Sequence, residues 1–195
     1  MSKIPTDLLK YELRKLQLKV SEESRSSFLT FVKKVWPDFI AGSHHKIIAE
    51  KFEDISRGKI KRLIVNMPPR HTKSEFASNL FPSWMMGKNP KLKIIQTTHT
   101  AELSYNFGRK VRNLFDQQEF KDVFPDVSLS QDSKAAGRFT TNKGGEYFAA
   151  GVGGAITGRG ADLLIIDDPH SEQDALSQTA MDNAYEWYTS GPRQR

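Results

Sequence analysis

Cysteine is absent from the 195 residues, which excludes cystine scaffolds, thiolate zinc ribbons and cysteine nucleophiles. Long apolar runs are missing too. Hydrophobic residues make up 37% of the chain and charged ones 27%, and the charges break every apolar stretch short of a bilayer's width, so no transmembrane helix is expected. The opening MSKIPTDLLKYELRK mixes acids and lysines among its leucines, whereas a secretory leader needs an unbroken apolar centre; a reducing, cytoplasmic setting is the default expectation. Internal repeats and low-complexity tracts are lacking. No HExxH or comparable spacing joins His44, His45, His71, His99 and His170, so a histidine-held metal is not expected. Positive charge is in slight excess, with Lys+Arg 29 against Asp+Glu 23 for a formal +6, which permits a polyanionic partner without requiring one. A chain of this length buries roughly 70% of its unfolded surface and needs no covalent staple.

The first 58 residues read as helical. Leu9, Leu13, Leu16 and Val20 recur at helical spacing behind Thr6 and Asp7; Phe28, Phe31, Val32 and Val35 form a second stripe that stops at Trp36, because a residue before proline avoids the helical region. A third helix is expected from Ser43 through Ile47, Ile48, Phe52 and Ile55 to Gly58. All three are expected to lay their apolar stripes on a core. From Lys59 the pattern turns to alternating strands and helices. Residues 60–66 (IKRLIVN) read as a β-branched strand, 92–98 (LKIIQTT) as a second, and Asp162 to Asp168 (DLLIIDD) as a third, apolar enough to be buried on both faces. Helices are expected around Phe76, Leu80, Phe81 and Trp84 and, behind Thr100, around Leu103, Phe107, Val111 and Leu114. Residues 138–141 and 146–150 flank Asn142, Lys143, Gly144 and Gly145, a tight-hairpin composition. The alternation predicts an α/β fold with a mostly parallel central sheet flanked by helices.

Chemistry concentrates in two places. Residues 67–74 (MPPRHTKS) fall between the first expected strand and a helix, where a phosphate-binding loop belongs. A triphosphate there needs curled backbone N–H groups, a Lys reaching the β- and γ-oxygens and a hydroxyl on Mg²⁺. Lys73 and Ser74 supply the last two, within a nucleotide-binding loop of Pro68, Pro69, Arg70, His71, Thr72, Lys73 and Ser74. Met67 and Thr72 stand where the GxxxxGKS/T pattern has glycines. Some ninety residues on, Leu163 to Ile166 run straight into Asp167 and Asp168. A carboxylate at the end of such a strand suits Mg²⁺, and its neighbour suits orientation of the attacking water. Lys73, Ser74, Asp167 and Asp168 are thus the expected core of an ATP- and Mg²⁺-dependent site.

The runs MPPRHTKSEFASNLFPSWMMGKNP and GGEYFAAGVGGAITGRGADLLIIDDPH resemble the Walker A segment, and the stretch leading into Walker B, of the large terminase subunit of tailed phages. The likeness extends from about Trp36 to about Trp187. It implies an additional-strand P-loop NTPase fold, with residues 1–58 a helical region packed on an ATPase core of 59–195, cut short of the family's remaining strands, coupling motif and nuclease domain. It also implies a virus-encoded motor in the host cytoplasm that drives double-stranded DNA into a procapsid. Its implied partners are DNA, the portal protein and the small terminase subunit, around a homo-oligomeric ring, with no membrane. An Asp, Asp168, stands where many members carry a catalytic Glu.

The same likeness places Arg159, ahead of Walker B, beside an arginine that reaches a neighbouring subunit's ATP, and it places His44 and His45 where related motors contact adenine; a capping or surface pair is the alternative for the histidines, and an exposed loop arginine for Arg159. Arg70 either meets the γ-phosphate or braces its loop. Residues 97–100 (TTHT) either touch DNA or cap the next helix. Two other readings of the chain stay open: a helicase-like P-loop ATPase, and a non-catalytic nucleic-acid-binding or assembly fragment.

Overall fold

A computed structural model describes residues 6–154, 156 and 158–194, and Ala155 and Thr157 of the glycine-rich stretch lie outside the described residues. The chain divides into two compact units, residues 1–64 with 118–125, and residues 65–117 with 126–195.

In the first unit, α1 (Thr6–Ser26), α2 (Phe28–Val35) and α3 (Ser43–Ser56) are joined by a short helix from later in the chain, α6 (Gln118–Val123). Ser27 caps α2 by accepting from the Thr30 N–H, and α2 ends at Trp36 as the following proline requires. Aromatic side chains build the core. Phe28 meets Phe52 edge-on at 5.5 Å between centroids, and Phe31 packs on Phe120 and Phe124 at 6.3 and 6.0 Å. Phe28, Phe31, Val32, Phe120 and Val123 are wholly buried, each phenylalanine contributing about 2–3 kcal/mol by its removal from water. The α1 stripe departs from expectation. Only the end of α1 is engaged, through buried Ser21 and Ser24 and through Arg25 Nε, which donates to the Val123 carbonyl at 2.7 Å. Leu9, Leu13 and Leu16 stay 53–59% exposed.

The second unit is α/β, with a five-stranded sheet in the order β2-β3-β4-β1-β5: β1 (Lys93–Thr98), β2 (Leu129–Ala135), β3 (Arg138–Thr141), β4 (Glu146–Gly151) and β5 (Leu163–Ile166). The expected mostly parallel sheet is corrected to a mixed one. β1 runs parallel to β4 and β5, while β2, β3 and β4 form an antiparallel meander, because the turn at 142–145 returns the chain directly onto its neighbour instead of crossing over. A second correction concerns residues 60–66. They enter no strand, and Ile64 is 87% exposed. β-Branched composition favours an extended backbone, but a strand exists only through a ladder partner, and among the described residues the outer edge of β5 pairs with nothing.

Helices cover both faces. α5 (Ala101–Leu114), capped by Thr100 accepting from the Leu103 N–H, lies over β4 and β1; Gly108 marks the close crossing, since a Cβ there would sit 2.0 Å from the Ala136 carbonyl oxygen. On the other face Ile95, Ala150 and Ile156 form a small core with Trp187 of α7 (Gln178–Ser190). Ahead of α4 (Phe81–Lys88) the chain makes a π-helical turn over Glu75–Leu80, with the Phe81 N–H reaching back to Phe76. Pro82 explains this widening. It has no N–H to give and crowds the carbonyl four residues back, so the helix opens there.

Candidate active site at the carboxyl ends of the parallel strands

The loop carrying Lys73 and the acids following β5 meet where β1 and β5 end. Asp167 N–H donates to the Thr97 carbonyl at 2.9 Å, and His99 N–H to the Asp168 carbonyl at 3.1 Å, so Asp167 is fixed to β1 and Asp168 to the residue that follows it. Lys73 Nζ bridges them, donating to Asp168 Oδ1 and lying 3.7 Å from Asp167 Oδ1. The two carboxylates differ in setting: Asp167 is 6% exposed and the Asp168 side chain 59%. Burial alone would lower the Lys73 pKa, but the hydrogen bond and charge of Asp168, then those of Asp167, outweigh it and hold the ammonium above its ordinary value. The fold thus brings Lys73 to Asp167 and Asp168, which lie 94 and 95 positions further along the sequence.

Behind Asp167 stand two residues that the sequence reading missed. Ser78 Oγ donates to Asp167 Oδ2 at 2.8 Å, and Gln96 Nε2 donates to Ser78 Oγ at 3.1 Å. Both are wholly buried. Gln96 Oε1 is buried with no partner among the described residues, a costly arrangement in a core. The available signal was a lone amide between the Ile and Thr pairs of β1.

The loop itself is strained. Arg70 and Thr72 both have φ +63, and Asp168 has φ +44, a left-handed backbone that only glycine adopts freely. Thr72 sits at the position where the phosphate-loop pattern has glycine, so the backbone takes the glycine conformation although the residue is β-branched. Thr72 Oγ1 donates to the His71 carbonyl at 2.6 Å, and His71 Nδ1 to the Pro69 carbonyl at 2.8 Å. Pro68, Pro69 and Arg70 are exposed. The Ser74 hydroxyl, at the start of the π turn, makes no hydrogen bond among the described residues.

Arg159, in the same unit as this group, is not brought to it. Arg159 sits at the amino ends of the strands, with Nη1 2.7 Å from Glu146 Oε1 and its guanidinium 3.9 Å from the centre of the Phe148 ring. Because Lys93 and Glu146 are register partners, that position is about 16 Å along the strands from the Lys73 end. Within this chain Arg159 is a brace shared with Arg138, which also bonds Glu146 at 2.9 Å. His44 and His45 belong to the first unit. His45 is buried and its Nδ1 accepts the Gly42 N–H at 2.9 Å, which leaves Nε2 to donate toward His44 at 3.1 Å; this is a helix cap for α3. Thr100 caps α5, while Thr98 and Ser104 share a buried hydrogen bond of 2.9 Å. Near the site, the Asp174 carboxyl is held below its ordinary pKa by hydrogen bonds from Ser171 and, less, by His170 and His99.

As for a metal, no group of three or more His, Asp or Glu among the described residues is placed to cage an ion. The donors that are present, one buried carboxylate of fixed orientation and one unengaged hydroxyl, fit a hard cation such as Mg²⁺ that takes the rest of its shell from phosphate and water. No helix among the described residues is long and apolar enough to cross a membrane. No protein-family model, curated protein or solved structure matches the chain.

Proposed function

We propose that the chain is a P-loop ATPase with the additional-strand fold, the ATP-hydrolysing portion of a viral DNA-packaging motor acting on double-stranded DNA in the host cytoplasm together with a portal protein, a small terminase subunit and further copies of itself. The observation that carries the reading is the bridge from Lys73 to Asp167 and Asp168 at the carboxyl ends of parallel strands, the end at which open α/β sheets bind ligands. Supporting it, Thr72 holds the glycine backbone that a phosphate loop requires.

In this reading Lys73 exchanges its carboxylate partners for the β- and γ-phosphate oxygens of ATP, a transfer between anions that keeps the ammonium paired throughout. Ser74 and Asp167 would hold Mg²⁺, which neutralises charge on the phosphates when bound. Ser78 and Gln96 keep Asp167 from rotating. Asp168, more exposed and released from Lys73, orients water toward the γ-phosphorus. Catalysis then rests on placement and charge and needs no covalent intermediate. Titration of a fluorescent ATP analogue with Mg²⁺ into the wild type and Lys73→Ala tests this: the variant should bind at least about tenfold more weakly, the loss of one charge-assisted contact, and equal affinities overturn the assignment.

A further inference from the structure

The α1 helix carries a surface that its own unit leaves uncovered. Leu9, Leu13, Leu16 and Val20 are spaced 4, 3 and 4 apart, the a/d alternation of a coiled-coil seam with Leu13 and Val20 at a and Leu9 and Leu16 at d. Their exposures are 53%, 58%, 59% and 40%, so the seam is continuous and open. The next d position is Glu23, which ends it. Leu8, Tyr11 and Leu18, also exposed, lie on the outer c and f lines of the helix, where Lys15 interrupts them, and extend no seam.

We propose that α1 pairs with α1 of a second copy of this chain in an antiparallel, two-fold arrangement. The seam sets the layers: Leu9 on the partner's Val20, and Leu13 on the partner's Leu16, each occurring twice by symmetry. The flanking charges choose the direction. Glu12 and Lys19 occupy the two g positions and make no ion pair among the described residues. In antiparallel pairing g meets g, so Glu12 faces the partner's Lys19 and Lys19 the partner's Glu12. In parallel pairing g meets e, and Glu12 would face only Gln17 and Lys19 only Ser24, since the e positions hold Lys10, Gln17 and Ser24 and no acid. Two complementary pairs therefore form only in the antiparallel arrangement. Anchorage of the far end of α1 through Arg25 and the Val123 carbonyl supplies a helix already folded before the encounter, so ordering it does not oppose association. A two-fold contact of this kind closes on itself and is distinct from the head-to-tail contacts of a ring; it does not rest on the ATPase reading.

Sedimentation equilibrium of the full chain should show a monomer–dimer exchange with a dissociation constant on the order of 10 µM, suited to a seam of only two heptads. Leu13→Lys with Leu16→Lys should weaken it at least about thirtyfold, by burying charge in both central layers. Glu12→Lys should weaken it about tenfold, and Glu12→Lys with Lys19→Glu should restore it. Because the chain has no cysteine, mixing a Glu12→Cys copy with a Lys19→Cys copy should give a disulfide-linked pair that neither gives alone. A wild type that stays monomeric to about 200 µM, or a dimer indifferent to the leucine substitutions, overturns the proposal; a dimer that the charge swap fails to restore overturns the antiparallel direction. Circular dichroism and thermal unfolding of the variants, whose altered residues are all exposed, show that each remains folded.

Discussion

Thr72 tests whether the loop owes its shape to function or to local preference. At φ +63 a non-glycine residue pays about 1–2 kcal/mol relative to the right-handed region, and glycine pays none of it. Against that, glycine loses about 0.5–1 kcal/mol more conformational entropy on folding. Thr72→Gly alone also gives up the hydroxyl bond to His71, so the informative quantity is the difference between Thr72→Gly and Thr72→Ala, in which side-chain losses nearly cancel. That difference should favour glycine by about 0.75 kcal/mol, the midpoint of strain minus entropy. At an exposed right-handed position the sign reverses: Arg109→Ala, on the outer face of α5, should be more stable than Arg109→Gly by about 1 kcal/mol. The swing between the two sites is then nearly 2 kcal/mol. Urea unfolding followed by tryptophan fluorescence, to which Trp84, fully buried in the same unit as the loop, contributes, measures all four variants, and unchanged m values keep the comparison valid. In thermal unfolding the Thr72 pair should be separated by about 2–3 °C. If alanine at 72 is as stable as glycine while position 109 behaves normally, the left-handed loop, and the phosphate-loop geometry drawn from it, is refuted.

Asp168→Asn should leave ATP affinity within a few fold, since it removes a competitor for Lys73 and no phosphate contact, while ATP turnover falls by about 10² or more; normal turnover assigns the water to another residue. The raised Lys73 pKa makes its ion pairs contribute fully below the ordinary lysine value of 10.5 and lose that contribution as pH rises through the higher folded value. The stability difference between wild type and Lys73→Met should accordingly stay flat up to about pH 10 and shrink above it, in matched alkaline unfolding series. DNA should bind without sequence preference through basic residues such as the exposed Lys59, Lys61, Arg62, Arg109 and Lys110 and the half-buried Arg112, and two or three phosphate contacts give log K a slope near −2 to −3 against log salt. Filter binding of two unrelated duplexes across a salt series checks this, and a strong preference between them counts against a packaging motor.

What the sequence made legible was whatever depends on neighbours in the chain. The boundaries of α2, the Thr100 cap, the hairpin between β3 and β4 and the apolar run ending in Asp167 and Asp168 are each set by a few adjacent residues, and each was found. β2 was not, because LSQDSKA is a polar edge strand recognised only by its pairing with β3. The exposed seam of α1 escaped for a related reason: periodicity says which face of a helix is apolar and nothing about what covers it.

The same distinction decides the candidate site. Lys73, Asp167 and Asp168 were legible because each sits at the edge of a local pattern, and the sheet needed only to bring two such edges to one end of β1. Ser78 and Gln96 were not, since their role is to meet one another across a helix–strand interface whose register depends on the π turn that Pro82 provokes. Arg159 was placed by likeness of sequence and not by geometry. In the folded chain its guanidinium is committed to Glu146 and Phe148 at the far end of the strands, where Lys93, the first residue of β1, also lies. An arginine so held is a structural brace within its own subunit, and any encounter with a nucleotide has to come from another copy presenting its site to that end of the sheet. The segment 60–66 obeys the rule most plainly. Its composition is that of a strand, yet without a partner ladder it stays solvated with Ile64 in water, because hydrogen bonding between strands, and not β-propensity, makes a sheet.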